Sequence, residues 1–230
     1  MADTAARRRT RRAQLDRRTI VDAALRLAAT GTADAISFRK LGAELGVDPT
    51  AIYRHFRGRD ELVEALIDEL LVTVTAAARE GDWRRRLLAL GVSTVAEMTA
   101  HPCVGVEVGT RSTQGPAERD AIEIVLAALD EAGLDEESAV RFYGVFTSYV
   151  VAFASAMAAG RLTASGTEED YDNRWVGPLA RIDPQRHPHV ASYASELIRL
   201  TDAEVFETGL AVILDAAEAA GAARRAGPAS

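Results

Sequence analysis

Cysteine is nearly absent from the chain: Cys103 is the single one among 230 residues. One thiol excludes an internal disulfide framework, and without paired Cys/His spacings it supplies no ligand set for structural zinc. Strand patterns are lacking too, because no run of β-branched residues alternates with polar ones between turn residues. No nucleophile elbow, P-loop, dinucleotide fingerprint or metalloprotease motif occurs. There is no internal repeat, and the N-terminus carries no apolar stretch of the secretory kind. These absences point to an all-α, cytoplasmic protein that is not an enzyme and needs no cofactor or metal.

What is present is a globular composition, 48% hydrophobic and 27% charged, in a chain long enough for one large domain or a small one joined to a larger. Its formal charge of −7 is unevenly placed. Residues 1–60 hold 13 Lys and Arg against 7 Asp and Glu, a balance of +6, and the remainder holds 14 against 27, a balance of −13. A basic head on an acidic body implies that only the head meets a polyanion. Phe142 to Gly160 runs 19 residues without a charge, close to a bilayer-spanning length. It is rich in Ala and Ser, and no Lys/Arg-rich loop flanks it, so it reads as a helix buried on nearly all sides rather than a membrane span.

Helical periodicity recurs throughout. A first helix is expected over about Arg17 to Thr30, a second from Ser37 to Leu45 ending at Gly46, and a third opening with Asp48 as N-cap and Pro49 at N1. After Gly58 a long fourth helix begins, with Asp60 and Glu61 favoured in its first turn by the helix dipole. Further helices are expected near 82–100, 116–132, 135–160 and 202–220, with Gly133 and Gly221 as ends. The polar stretch between Arg161 and Pro188 is too long for an ordinary connection. The expected domains are a flexible basic arm (1–16), a small three-helix unit (17–62), a larger helical unit (63–221) and a disordered tail (222–230).

Helix, Gly-containing turn, helix over residues 37–56 is the helix-turn-helix arrangement. With Leu41, Leu45, Val47, Ile52 and Phe56 inward, Thr50, Ala51, Tyr53, Arg54 and His55 are left on the outer side of a helix that fits the DNA major groove. Thr50 and Ala51 are small enough for close approach to bases, while Tyr53 and His55 suit phosphates. The helix starts at Ser37 and near Arg59 offer backbone N–H groups to the same oxygens. Arg39, Arg54, Asp48 and Pro49 complete the expected contact set. Upstream, Arg7, Arg8, Arg9, Arg11 and Arg12 read either as an arm for a narrow minor groove or as a solvated charge run.

The stretch "IVDAALRLAATG…SFRKLGAELGVDPTAIYRHFRGRDELVEALIDELL", over roughly residues 18–71, resembles the DNA-binding domain of the tetracycline-repressor (TetR) family. Arg59 stands where lysine is usual and Asp48 where serine is frequent. "EVGTRSTQG", "LAALDEAGLDEESAVRFYGVF" and "FETGLAVILDAAEAA" resemble the effector domain of the tetracycline repressor more weakly. The resemblance implies a homodimer paired through the helices near 135–160 and 202–220. It also implies a palindromic DNA operator and a small-molecule effector that releases the protein from it. Effector candidates are Trp83, Met98, His101, Glu107, Thr110, Phe146, Tyr149 and Phe153, although aromatic residues at helical spacing also read as core. Glu107 needs a partner if buried, whereas a surface loop after Pro102 exposes both it and His101. Anchored on Gly109-Thr110-Arg111, the repressor's metal-binding histidine falls at Glu107 and its metal-associated glutamate at Phe153. Magnesium–tetracycline is therefore not the expected ligand; a less polar organic molecule is. Two rival classes stand beside this reading: an enzyme using His101, Cys103 and Glu107, and a helical partner-binding protein that keeps the fold without the DNA function.

Overall fold

The computed structural model describes residues 15–30, 35–163 and 182–226. Arg11 and Arg12 of the basic arm, most of the 161–188 stretch and the last four residues lie outside these. Among the described residues there is no strand.

Local chemistry explains where the first helices begin and end. Helix α1 (Arg17–Ala28) starts at Asp16, whose carboxylate accepts from the Thr19 N–H at 2.7 Å. Helix α2 (Phe38–Leu45) is capped by Ser37 and stops at Gly46, which takes the left-handed conformation at φ 65° that a side chain disfavours. Helix α3 (Pro49–Ile52) follows, capped by Asp48, and the chain keeps coiling through Tyr53 to Phe56 by bonds back to the Ile52 carbonyl. Gly42 is the hinge of this motif: a Cβ there would sit 2.9 Å from the Val47 carbonyl oxygen and against the Pro49 ring.

Helix α4 (Arg59–Ala77) belongs to both halves of the molecule. Its first half joins Ile20, Leu41, Ile52 and Phe56 in one core, and its second half, from Val74, joins a second core. That second core is built by α5 (Trp83–Ala100), α7 (Pro116–Glu131), the long α8 (Glu136–Thr163) and α10 (Asp202–Ala226). The expected boundary after residue 62 is not a boundary in packing, because the first core also takes in Met98, Cys103, Val104, Val108 and Ala154. Between α5 and α7 a single turn, α6 (Pro102–Gly105), is buried and not a surface loop. A Cβ at Gly105 would run into the Met98 carbonyl and Ala158, so this wedge seats only with glycine there. A 3₁₀ turn (Val108–Thr110) follows it.

Two expectations about ends differ. Gly133, at φ 92°, does stop α7, but Gly221 does not stop α10, which continues to Ala226. Gly221 is instead a close-packing point whose Cβ would collide with the Ala132 carbonyl. The extra turn is held because Arg225 donates to the Ala132 oxygen at 2.7 Å and Arg224 to the Gly133 oxygen at 3.2 Å, covering carbonyls left over at the end of α7. Residues 222–226 are thus helix and not disordered tail. Helix α9 (Pro188–Arg199) opens on the turn around Asp183–His187 and buries none of its residues within the described chain.

Helix α8 is long and apolar enough to cross a membrane by length and composition. Here Phe146, Val150, Ala154 and Ala158 are buried along one side of it, against α5 and α10 and in the wedge region. Only 22% of its apolar stretch is buried, so the expected burial on nearly all sides is not met within one chain.

Candidate DNA-reading face and ligand cavity

The outer side of the helix-turn-helix is organised from below. Tyr53 is 58% exposed, yet its ring is fixed edge-on against Phe38 at 4.6 Å between centroids. Arg39 and Arg54 are exposed beside it, and Ser37 caps α2 through its hydroxyl. Thr50 is exposed, but its hydroxyl donates to Asp48 at 2.6 Å, and the same carboxylate accepts the Thr50 N–H at 2.9 Å. The methyl group of Thr50 is what remains for a base edge. Pro49 is half-buried at N1.

Two side chains of the expected set are moved off this face. Ala51 is only 7% exposed and packs inward beside Ile52, on the buried side of α3. Arg59 is turned away towards the larger domain, where its guanidinium is ion-paired with Glu107. His55 is half-buried and its carbonyl accepts from Arg17 at 2.8 Å. Arg17 was not foreseen as a positioning residue. Its guanidinium lies 4.1 Å above the Phe56 ring and also bonds Glu61 at 2.9 Å, and Glu61 in turn accepts the Arg57 N–H at 2.8 Å. One cation thus ties α1, the end of the reading segment and the start of α4 together. These bonds hold the Glu61 carboxyl below the ordinary carboxylate range, the Arg57 N–H first and Arg17 next.

Inside the larger domain, a cavity of about 150 Å³ opens between α4, α5, α7 and α8. Its walls are apolar, with Leu71, Leu90, Ile122, Phe146 and Val150 among them, and its polar groups gather from Arg111, Thr113, Glu118, Tyr143 and Thr147. A wider groove of about 420 Å³ runs between α1, α4 and residues 113–116, lined by Arg17, Arg18, Glu61 and Asp68. Most of the groove's lining is charged, whereas the smaller cavity is apolar apart from one end, so the smaller one is the better seat for an organic ligand.

Of the expected effector residues, only Phe146 lines the cavity. Met98 is fully buried in the first core, and the His101 ring sits 3.0 Å from the Glu97 carbonyl. Thr110 is exposed and bonds back to the Glu107 carbonyl. Tyr149 and Phe153 cluster on Phe206, with Tyr149 stacked at 5.7 Å and its hydroxyl donating to the Val205 and Phe206 carbonyls, so they fasten α8 to α10. Trp83 packs at the edge of the second core and its backbone N–H donates to Glu131 at 3.2 Å.

Glu107 does have a partner, though not His101. It pairs with Arg59 and with Arg111, whose Nε reaches it at 2.8 Å, and Arg111 also bonds Asp60 at 2.8 Å. Burial alone pushes the Glu107 carboxyl up, but the two guanidinium groups outweigh that and hold it below its ordinary 4.5. A second tie lies nearby, where Asp68 of α4 accepts from the Thr113 hydroxyl and the Glu118 N–H, both at 3.1 Å. The segment from Glu107 to Glu118 is therefore a strap that forms one end of the cavity and grips α4 at its start and middle. His101, Cys103 and Glu107 each have other engagements: the Cys103 sulfur lies 3.6 Å from the Ala28 carbonyl, and burial pushes its thiol up. No shared thiol site is formed by these bonds.

A helix-turn-helix with an exposed polar reading face, joined by one shared helix to a helical domain with an internal cavity, defines a DNA-binding transcriptional regulator. The family model described as "Bacterial regulatory proteins, tetR family" matches residues 20–66, and that of the "Tetracyclin repressor-like, C-terminal domain" matches residues 75–220. The repressor DrrR1 of Streptomyces coeruleorubidus is 30% identical over 92% of this chain and 79% of its own length. The class A tetracycline repressor from transposon 1721 of Escherichia coli is 27% identical over 88% of this chain and 90% of its own. Apo ActR from Streptomyces coelicolor superposes with a TM-score of 0.74 at 25% identity, covering 90% of this chain and 97% of that one. The chain belongs to the TetR family of transcriptional regulators, and by that membership it is not an enzyme.

Proposed function

We propose that the protein is a cytoplasmic repressor that binds a palindromic operator as a homodimer and leaves it when a small organic molecule enters the cavity between α4 and α8. Tyr53, Arg54, Arg39 and the helix starts at Ser37 and Arg59 meet phosphates, and the Thr50 methyl reads a base; Ala51 and the Arg59 side chain drop out of the contact set. The observation that carries the reading is that α4 is common to the reading head and the cavity wall. A ligand that fits only a shifted α4 favours a form whose two reading segments are wrongly spaced.

The cavity's apolar walls favour a less polar ligand than magnesium–tetracycline. Glu107, which aligns with the tetracycline repressor's metal-binding histidine, is occupied by two arginines. The dimer is proposed through α8 and α10, where Val145 and Val212 are more than half exposed.

Selection of bound duplexes from a random DNA pool, followed by anisotropy at two salt concentrations, tests the reading. A palindrome bound with steep salt dependence is the expected result. Recovery of no shared sequence overturns it.

A further inference from the structure

Arg111 has a double position. It lines the cavity, and it is the centre of the ion cluster that joins the strap to the first turn of α4. Its Nε–Nη2 edge is held by Glu107, at 2.8 and 2.7 Å. Nη2 also reaches Asp60, at 2.8 Å, while Nη1 makes no bond to a described residue. The two carboxylates are not equal competitors. Glu107 is largely buried, with 18% of its side chain exposed, and is also gripped by Arg59; Asp60 is 76% exposed. An exposed partner is screened by water and is the one a third anion displaces.

Across the cavity the Tyr143 hydroxyl makes no hydrogen bond to a described residue, and burial, with the Glu118 charge, pushes its phenol above the ordinary 10. It remains a donor at neutral pH. Glu118 takes Ser112, Thr113 and the Gln114 N–H on its Oε2, which ties that carboxylate to the strap. Arg111 and Tyr143 thus offer a ligand two donors, one of them cationic, at the strap end of an apolar slot. Resting on the reading of this cavity as the effector site, we propose that the ligand is an organic carboxylate, and that Arg111 selects it by exchanging Asp60 for it.

The exchange follows from fork geometry. A carboxylate bound to a guanidinium by two parallel bonds uses two nitrogens on one edge, and the edge not held by Glu107 is Nη1–Nη2. Occupying that edge takes Nη2 from Asp60, and the bond that pins the start of α4 to the strap is lost. A neutral molecule of the same shape fills the slot but leaves that bond in place.

The test uses 2-naphthoate and its neutral counterpart 2-naphthamide as probes, titrated calorimetrically against the full chain, with operator anisotropy read alongside. Wild type is expected to prefer the carboxylate by about tenfold, a difference of about 1.4 kcal/mol. Arg111→Gln should abolish that preference while its naphthamide affinity stays within about threefold of wild type, well under a tenfold step. Asp60→Asn, at an exposed position, should tighten naphthoate alone. Naphthoate, but not naphthamide, should also weaken operator binding.

Equal affinities in wild type, no naphthoate binding, or a preference that survives Arg111→Gln overturns the proposal. A merely structural role for Arg111 would change both probes together, which also counts against it. None of these outcomes touches the regulator reading, which stands or falls on operator binding without ligand.

Discussion

Tyr53 illustrates how a reading residue is prepared. Its ring leans on Phe38, so the hydroxyl is presented with little freedom to lose on binding. A hydrogen bond to a charged group contributes about 1.5–3 kcal/mol, so Tyr53→Phe should weaken selected and random DNA alike by roughly tenfold or more. Tyr53→Ala, which also removes the ring from Phe38, should cost more on both. Thr50→Ala should instead change the order of preferred sequences, because only base contacts carry sequence information. Equal losses on both duplexes for Thr50→Ala would contradict that assignment.

Glu107 makes a different prediction, in pH. Its carboxyl titrates lower in the folded protein than its ordinary 4.5, so its contribution to stability is fully present above about that pH and fades as pH falls through the depressed value. Wild type should therefore melt higher than Glu107→Gln by a constant margin from about pH 7 to about pH 5, and the margin should close on further acidification. A margin that persists unchanged in acid would show that the ion pair is not its source.

At the scale of elements, glycines that look alike in sequence do different work. Gly133 ends α7 by its positive φ, whereas Gly221 lies inside α10 and lets it cross the end of α7 closely. Gly221→Ala would place a methyl group into the Ala132 carbonyl, and overpacking of this kind costs about 1–3 kcal/mol. Thermal unfolding should drop accordingly, while operator affinity at low temperature stays near wild type.

The same contrast shows what could be read beforehand. Asp16, Ser37, Asp48 and Gly46 announce helix ends by local chemistry, and the first four helices were legible from them and from the apolar spacing. The cavity was not. Helix α8 is apolar nearly all round, so its periodicity does not separate Phe146 and Tyr143, which face the cavity, from Tyr149 and Phe153, which face α10. The wedge at Pro102–Gly105 was hidden for another reason. It is one turn long, and its burial depends on a contact with α8 far along the chain. The pairing of Glu107 with Arg59, 48 residues apart, likewise has no local signature.

For the whole molecule, charge decides how two copies can meet. Residues 61–230 carry a balance of −13, so two such bodies repel unless their contact is apolar. The exposed valines supply such a surface: Val140 and Val145 on α8, Val205 and Val212 on α10, with open space over Gly144 between the first two. Exposed apolar side chains on both long helices fit the contact proposed through α8 and α10. Val145→Glu combined with Val212→Glu adds two carboxylates per subunit at the proposed contact, where each would face a like charge without water. Sedimentation should then find a monomer at concentrations where wild type is a dimer. Helical content should be unchanged, since neither side chain is buried within one chain.

The decisive comparison is on DNA. A lone reading segment contacts too few base pairs to discriminate well, so the monomeric variant should bind a palindrome and its isolated half with the same weak affinity. Wild type should favour the palindrome strongly. If the double variant remains a dimer, the contact lies elsewhere, and the exposed Tyr193, Leu197 and Leu200 along and just after α9 become the next surface to charge.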